Sequence, residues 1–80
     1  MDYQVEKQFG QKLRRIRKDR KITQDQLAAQ LQVRGVDLTR SAIAKIEVGQ
    51  RHIYLDELLA LQKILEIPFS ELLDIESDKT

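Results

Sequence analysis

Residues 39–49 read TRSAIAKIEVG, and residues 23–31 read TQDQLAAQL. Each stretch opens on a threonine and then places apolar residues at helical spacing. Thr23 and Gln26 have the spacing of a capping box, in which the hydroxyl accepts from a first-turn amide and the glutamine reaches back. Asp25 suits the positive end of the same helix dipole. Leu27, Ala28 and Leu31 form its buried stripe, which predicts a helix from Thr23 to about Gln32. In the later stretch Ile43 and Ile46 point inward. Arg40, Ser41, Ala44 and Lys45 then lie outward, and Gly49 stops a helix that begins near Thr39 and runs to Val48. Residues 33–38, VRGVDL, connect the two. Gly35 can take a positive φ there, and Asp37 or Thr39 can cap the second of these helices.

The flanks are helical too. Val5, Phe9, Leu13 and Ile16 recur at helical spacing, which predicts a first helix over 4–20. Its other face carries Lys7, Lys12, Arg14, Arg15, Lys18 and Arg20. Gly10 either weakens that helix slightly or lets another element come close. Arg51, His52 and Ile53 form a loop. Leu58, Leu61 and Leu65 share a face of a helix over 55–65, with Asp56 and Glu57 in its first turn. Pro68 is allowed at the start of a short fifth helix over 68–74. Residues 76–80 form a polar tail that frays.

The chain has 80 residues, room for one small domain and one core, taken here as 1–75. Only Pro68 and three glycines interrupt it, which favours an all-α, compact five-helix bundle. With no cysteine there is no disulfide and no thiolate metal site. No apolar run approaches the length of a membrane span. The opening MDYQVEKQF lacks the pattern of a signal peptide, so the cytoplasm is the expected compartment. Charge is unevenly placed. Residues 1–52 carry 12 Lys/Arg against 6 Asp/Glu, and residues 53–80 carry 2 against 7. A half at +6 and a half at −5 suit one face for a polyanion and another for a different contact.

Residues 13–73 resemble the helix-turn-helix domain of the phage repressor, Cro and Xre family. The resemblance rests on LRRIRKDRKITQDQLAAQL, TRSAIAKIEVGQR and LLALQKILEIPFSELL. The pairing of TQ-x-x-LA with S-x-I-x-K-I-E-x-G is the specific part. It implies a bundle of the lambda-repressor-like helix-turn-helix type and a Cro/C1-type transcription regulator. Three departures stand out. The connector between Leu31 and Thr39 is about five residues longer than the family's usual tight turn. Gln32 stands where a Gly is common, with Gly35 as its replacement, and Ile53 stands where a Pro is common. The longer connector can change the tilt of the third helix and can bring Arg34 to the DNA.

The B-DNA major groove admits one α-helix. A reading helix is therefore polar at its N-terminal outer face and apolar behind. Arg40 can donate two hydrogen bonds to guanine, and Ser41 can donate or accept. Lys45 comes one turn later, and Ala42 and Ala44 are small enough for close approach. The resemblance places base contacts on Arg40, Ser41 and Lys45. It places backbone contacts on Gln24 and Arg51, with Gln50 and Tyr54 as further candidates; Arg34 joins them only through the longer connector. It also pairs Arg17 with Glu47, a bond that sets the relative pose of two helices.

One His, no Cys and no glycine-rich phosphate loop leave no catalytic residues, no metal and no cofactor to assign. His52 reads as a loop residue. The expected partner is double-stranded DNA, bound by a homodimer at a palindromic operator with half-sites about 34–36 Å apart. The expected regulator is a repressor. The alternative is a protein-binding module or antitoxin on the same scaffold, with a partner at the acidic C-terminal part.

Overall fold

Five helices succeed one another in the computed structural model, which describes residues 3–75. They are α1 (Tyr3–Asp19), α2 (Gln24–Val33), α3 (Arg40–Glu47), α4 (Leu55–Leu65) and α5 (Phe69–Leu72). All five contribute to one apolar cluster. Leu13, Leu27, Leu31, Leu38, Ile43, Ile46, Leu61, Leu65 and Leu72 are fully enclosed in it. Each such side chain is worth about 1.5–3 kcal/mol over an exposed one. The amphipathic period of α1 therefore decides its orientation: Phe9, Leu13 and Ile16 go inward, and its basic face goes to solvent.

The helix starts are fixed by local chemistry. Thr23 Oγ1 accepts from the Gln26 amide at 3.0 Å, and Gln26 Oε1 accepts from the Thr23 amide at 2.9 Å. Both halves of the capping box are thus formed. Thr39, not Asp37, caps α3, with Oγ1 accepting from the Ala42 amide at 3.1 Å. At α4 the Tyr54 amide donates to Glu57 Oε1 at 2.9 Å.

Three helix ends close in the same way. After α2, Gly35 sits at φ +80°, its amide donates to Gln32 and the next amide, of Val36, donates to Leu31, each at 2.9 Å. After α3, Gly49 at φ +77° donates to Ile46, and Gln50 donates to Lys45. After α1 the same pair of bonds forms around Lys21, at φ +56°. These bonds satisfy carbonyls that a helix end would otherwise leave open.

They also correct the expected boundaries. α2 runs one residue further, to Val33, because its closing turn needs Arg34 as cap and Gly35 beyond it. α3 ends at Glu47, with Val48 as its cap. α5 is shorter than the expected 68–74: Pro68 stands outside it in extended geometry, and Leu73 caps it. The connector is not a loose loop. Leu38 is wholly buried and Val36 packs against the core, so the chain is fastened just before Thr39. The tail expected at 76–80 lies outside the described residues.

Candidate nucleic-acid interface

The pose of α3 is set by a buried carboxylate at its end. Arg17 of α1 donates from Nε to Glu47 Oε2 at 2.7 Å and from Nη2 to Glu47 Oε1 at 3.0 Å. Its third nitrogen, Nη1, donates to the Ile22 carbonyl at 2.8 Å. Gln24, the first residue of α2, donates from Nε2 to Glu47 Oε1 at 3.0 Å. One carboxylate therefore joins α1, α2 and α3. The Arg17 and Glu47 side chains are only 8% and 2% exposed, so neither could stay charged there unpaired. Among the described residues no buried side-chain nitrogen or oxygen is left without a partner.

Gly10 brings α1 and α3 together. A Cβ added there would lie 2.2 Å from the Ile46 carbonyl oxygen and 2.8 Å from that of Glu47. The close-approach reading of Gly10 is thus the one the fold uses. Gly49 does the same from the other side, against the backbone of Lys7.

With its inner face held this way, α3 turns Arg40, Ser41 and Lys45 to solvent. Arg40 Nη1 lies 3.6 Å from Asp25 Oδ2, with side chains 66% and 71% exposed. An ion pair that wet is worth about 0–1 kcal/mol. Arg40 is therefore steered by Asp25 but free to exchange it for another acceptor. Of the two alanines, Ala42 departs from expectation. Ala42 packs against the core, because it adjoins the inward arc of Ile43 and Ile46, whereas Ala44 lines an open cleft.

That cleft separates α1 from α3. Lys7, Gln11, Arg14, Arg15 and Lys18 form one wall, and Gln24, Ala44, Glu47 and Val48 the other. A second cleft continues past Gln24 and Asp25 to Arg40, with Arg14, Lys18 and Lys21 opposite. Gln24 thus shares a surface with both ends of α3. Arg34 is exposed at the far end of α2, about 15 Å along the axis from Gln24.

The loop after α3 is tied inward. Arg51 Nη1 donates to Glu57 Oε1 at 3.0 Å and to the His52 carbonyl at 2.7 Å, and Nη2 donates to Glu57 Oε2 at 3.1 Å. Its guanidinium also lies 5.6 Å from the Tyr54 ring centre. The hydrogen bond to Glu57 raises the Arg51 pKa against the opposing effect of burial. Burial pushes the Glu57 carboxyl up, but the bonds from Arg51 and the Tyr54 amide outweigh it and leave its pKa below the ordinary value. The Arg51 fork is therefore committed to Glu57. Gln50 and Tyr54 are exposed beside it. His52 Nδ1 lies 3.2 Å from Glu6 Oε1, a tie between this loop and α1.

Two features escaped the sequence. The Asp25–Arg40 pair spans two helices with no fixed spacing to announce it. The basic face of α1 was visible, but not that it borders α3. No group of three or more His, Cys, Asp or Glu among the described residues could hold a metal. No described helix is long and apolar enough to cross a membrane.

A family model described as helix-turn-helix matches residues 13–72. The chain belongs to the helix-turn-helix family. This helix-turn-helix chain is also similar to the HTH-type transcriptional activator BcrR of Enterococcus faecalis, with 35% identity over 66 residues. The alignment takes in 82% of the chain but 30% of the relative, so the chain spans less than a third of that protein's length. No solved structure matches the chain significantly.

Proposed function

We propose that this helix-turn-helix unit binds double-stranded DNA in a transcription regulator, with α3 in the major groove. The observation that carries this reading is the exposed Arg40–Ser41–Lys45 face on a helix fixed from behind by Arg17, Gln24 and Glu47. α3 has eight residues and is about 12 Å long, so its N-terminal half can enter the groove while Glu47 stays anchored. In this reading Arg40, Ser41 and Lys45 contact base edges. Gln24 keeps its bond to Glu47 and presents its backbone amide to a phosphate. Gln50, Tyr54 and Arg34 contact phosphates further out. Arg51 serves mainly through Glu57, fixing the loop that carries Gln50 and Tyr54. A cytoplasmic place of action accords with that partner.

We also infer a homodimer at a palindromic operator, with repression by occupancy of the site. The acidic half supports the dimer: Leu55, Leu59 and Leu73 are 71%, 45% and 44% exposed on it. The relative bears an activator's name, so the direction of regulation needs its own test. A second reading keeps the scaffold but gives that apolar, acidic face to another protein, as in an antitoxin.

The test is a selection from random duplexes at physiological salt. A two-fold consensus is expected for the wild type. Arg40→Ala and Lys45→Ala should each relax one position of it. Absence of any enrichment rejects the reading and favours the protein partner. The selected site, placed in a reporter upstream and within the promoter, separates activation from repression.

A further inference from the structure

α1 places Lys7, Gln11, Arg14 and Lys18 at steps of four, three and four residues, which sets all four on one face. The stripe is about 16 Å long. It forms the wall of the cleft that faces Gln24, Ala44 and Val48.

Its charge is uncompensated. Lys7, Arg14 and Lys18 are exposed and make no ion pair among the described residues. Nearby, Lys12 is matched with Asp74, Arg17 with Glu47 and Arg40 with Asp25, whereas Arg15 on the same cleft wall and Lys45 on α3 make no ion pair among the described residues and add to the positive charge there. The single acid in the cleft, Glu47, is already neutralised by Arg17. A solvated helix face normally mixes signs, because like charges one turn apart destabilise a helix. Arg14 and Lys18 are such a pair. An external anion beside α3 relieves that repulsion.

We propose that this stripe is a second phosphate track, separate from the helix-turn-helix contacts. It rests on the reading that α3 enters the major groove. With α3 seated, Arg14 and Lys18 meet the sugar-phosphate backbone that borders the groove on the α1 side. Lys7 extends the contact, and the Gln11 amide can donate to the same strand. The ligand chemistry is a run of phosphodiester oxygens. The track supplies affinity for any duplex and no base discrimination, because phosphate contacts carry no sequence information.

The experiment uses the full chain and a fixed random-sequence duplex of about three helical turns. Binding is monitored by fluorescence anisotropy across a salt series from low to moderate ionic strength. Arg14→Gln/Lys18→Gln is compared with Arg20→Gln/Lys63→Gln, which removes the same charge from exposed positions off the stripe. Each phosphate contact contributes about 0.9 to the slope of log affinity against log salt. The stripe variant is therefore expected to lose about 1.8 from that slope, and each single variant about 0.9. The control pair should lose less than half as much. Circular dichroism confirms that the helices persist, and the single variants serve if the pair unfolds. A stripe variant whose slope matches the control's overturns the track while leaving DNA binding intact. A wild type that binds no duplex even at low salt overturns the underlying reading as well.

Discussion

Arg17 and Glu47 stand thirty residues apart in sequence and share two hydrogen bonds, at 2.7 and 3.0 Å, in a place almost closed to water. Such a pair gives modest net stability, because removing both charges from water offsets most of the attraction. Losing one partner is different. Arg17→Met leaves Glu47 buried with only the Gln24 amide, and about 3–5 kcal/mol of folding stability is expected to go. Arg17→Met with Glu47→Leu should recover most of that. Urea unfolding of both singles and the double closes the cycle, and simple additivity would contradict the clasp.

Gly10 inverts a general rule. An exposed helical Gly→Ala change gains about 0.8–1.0 kcal/mol. Here the new methyl meets two backbone carbonyls of α3, neither of which can turn aside. Gly10→Ala is expected to lose about 1–3 kcal/mol, in line with overpacking. A rise in the thermal midpoint would show that α1 and α3 can separate.

Leu38 is expected to behave as core, although it sits in a connector. Leu38→Ala should lose about 2–5 kcal/mol. Arg34→Ala, four residues earlier and exposed, should stay within about 0.5 kcal/mol. Equal effects at the two positions, measured by urea unfolding, would argue that the connector is not fastened.

Those positions show what a sequence conveys. α1 and α4 could be read because their leucines and isoleucines repeat at the helical period. The caps at Thr23 and Thr39 could be read because a hydroxyl at a helix start has a specific task. Leu38 could not, since one apolar residue among polar neighbours has no period. Lys21 could not, because its left-handed backbone is the kind usually announced by glycine. The outward placing of Arg40, Ser41 and Lys45 came from knowing which face of α3 is buried. The pairing of Arg40 with Asp25 needed the crossing of two helices, which no local spacing encodes.

Glu57 gives stability a pH dependence of definite sign. Its folded pKa lies below the ordinary value: burial raises it, but the bonds from Arg51 and the Tyr54 amide favour the ionised form more strongly. Its contribution is therefore fully present above the unfolded-state pKa and is lost as pH falls through the lower folded value. Wild type and Glu57→Gln should differ most near neutrality and converge in acid. A gap that widens in acid would reverse the assignment.

The shared carboxylate at Glu47 has a consequence for the connector. α3 is held at its far end by Arg17 and Gln24, and the chain is pinned again at Leu38. Between the turn at Gly35 and that pin lie only Val36, which packs against the core, and the exposed Asp37, and neither touches the anchor at Glu47. Connector length is thereby uncoupled from docking angle. Residues inserted there can lengthen the path between α2 and α3 while the reading helix keeps its aim.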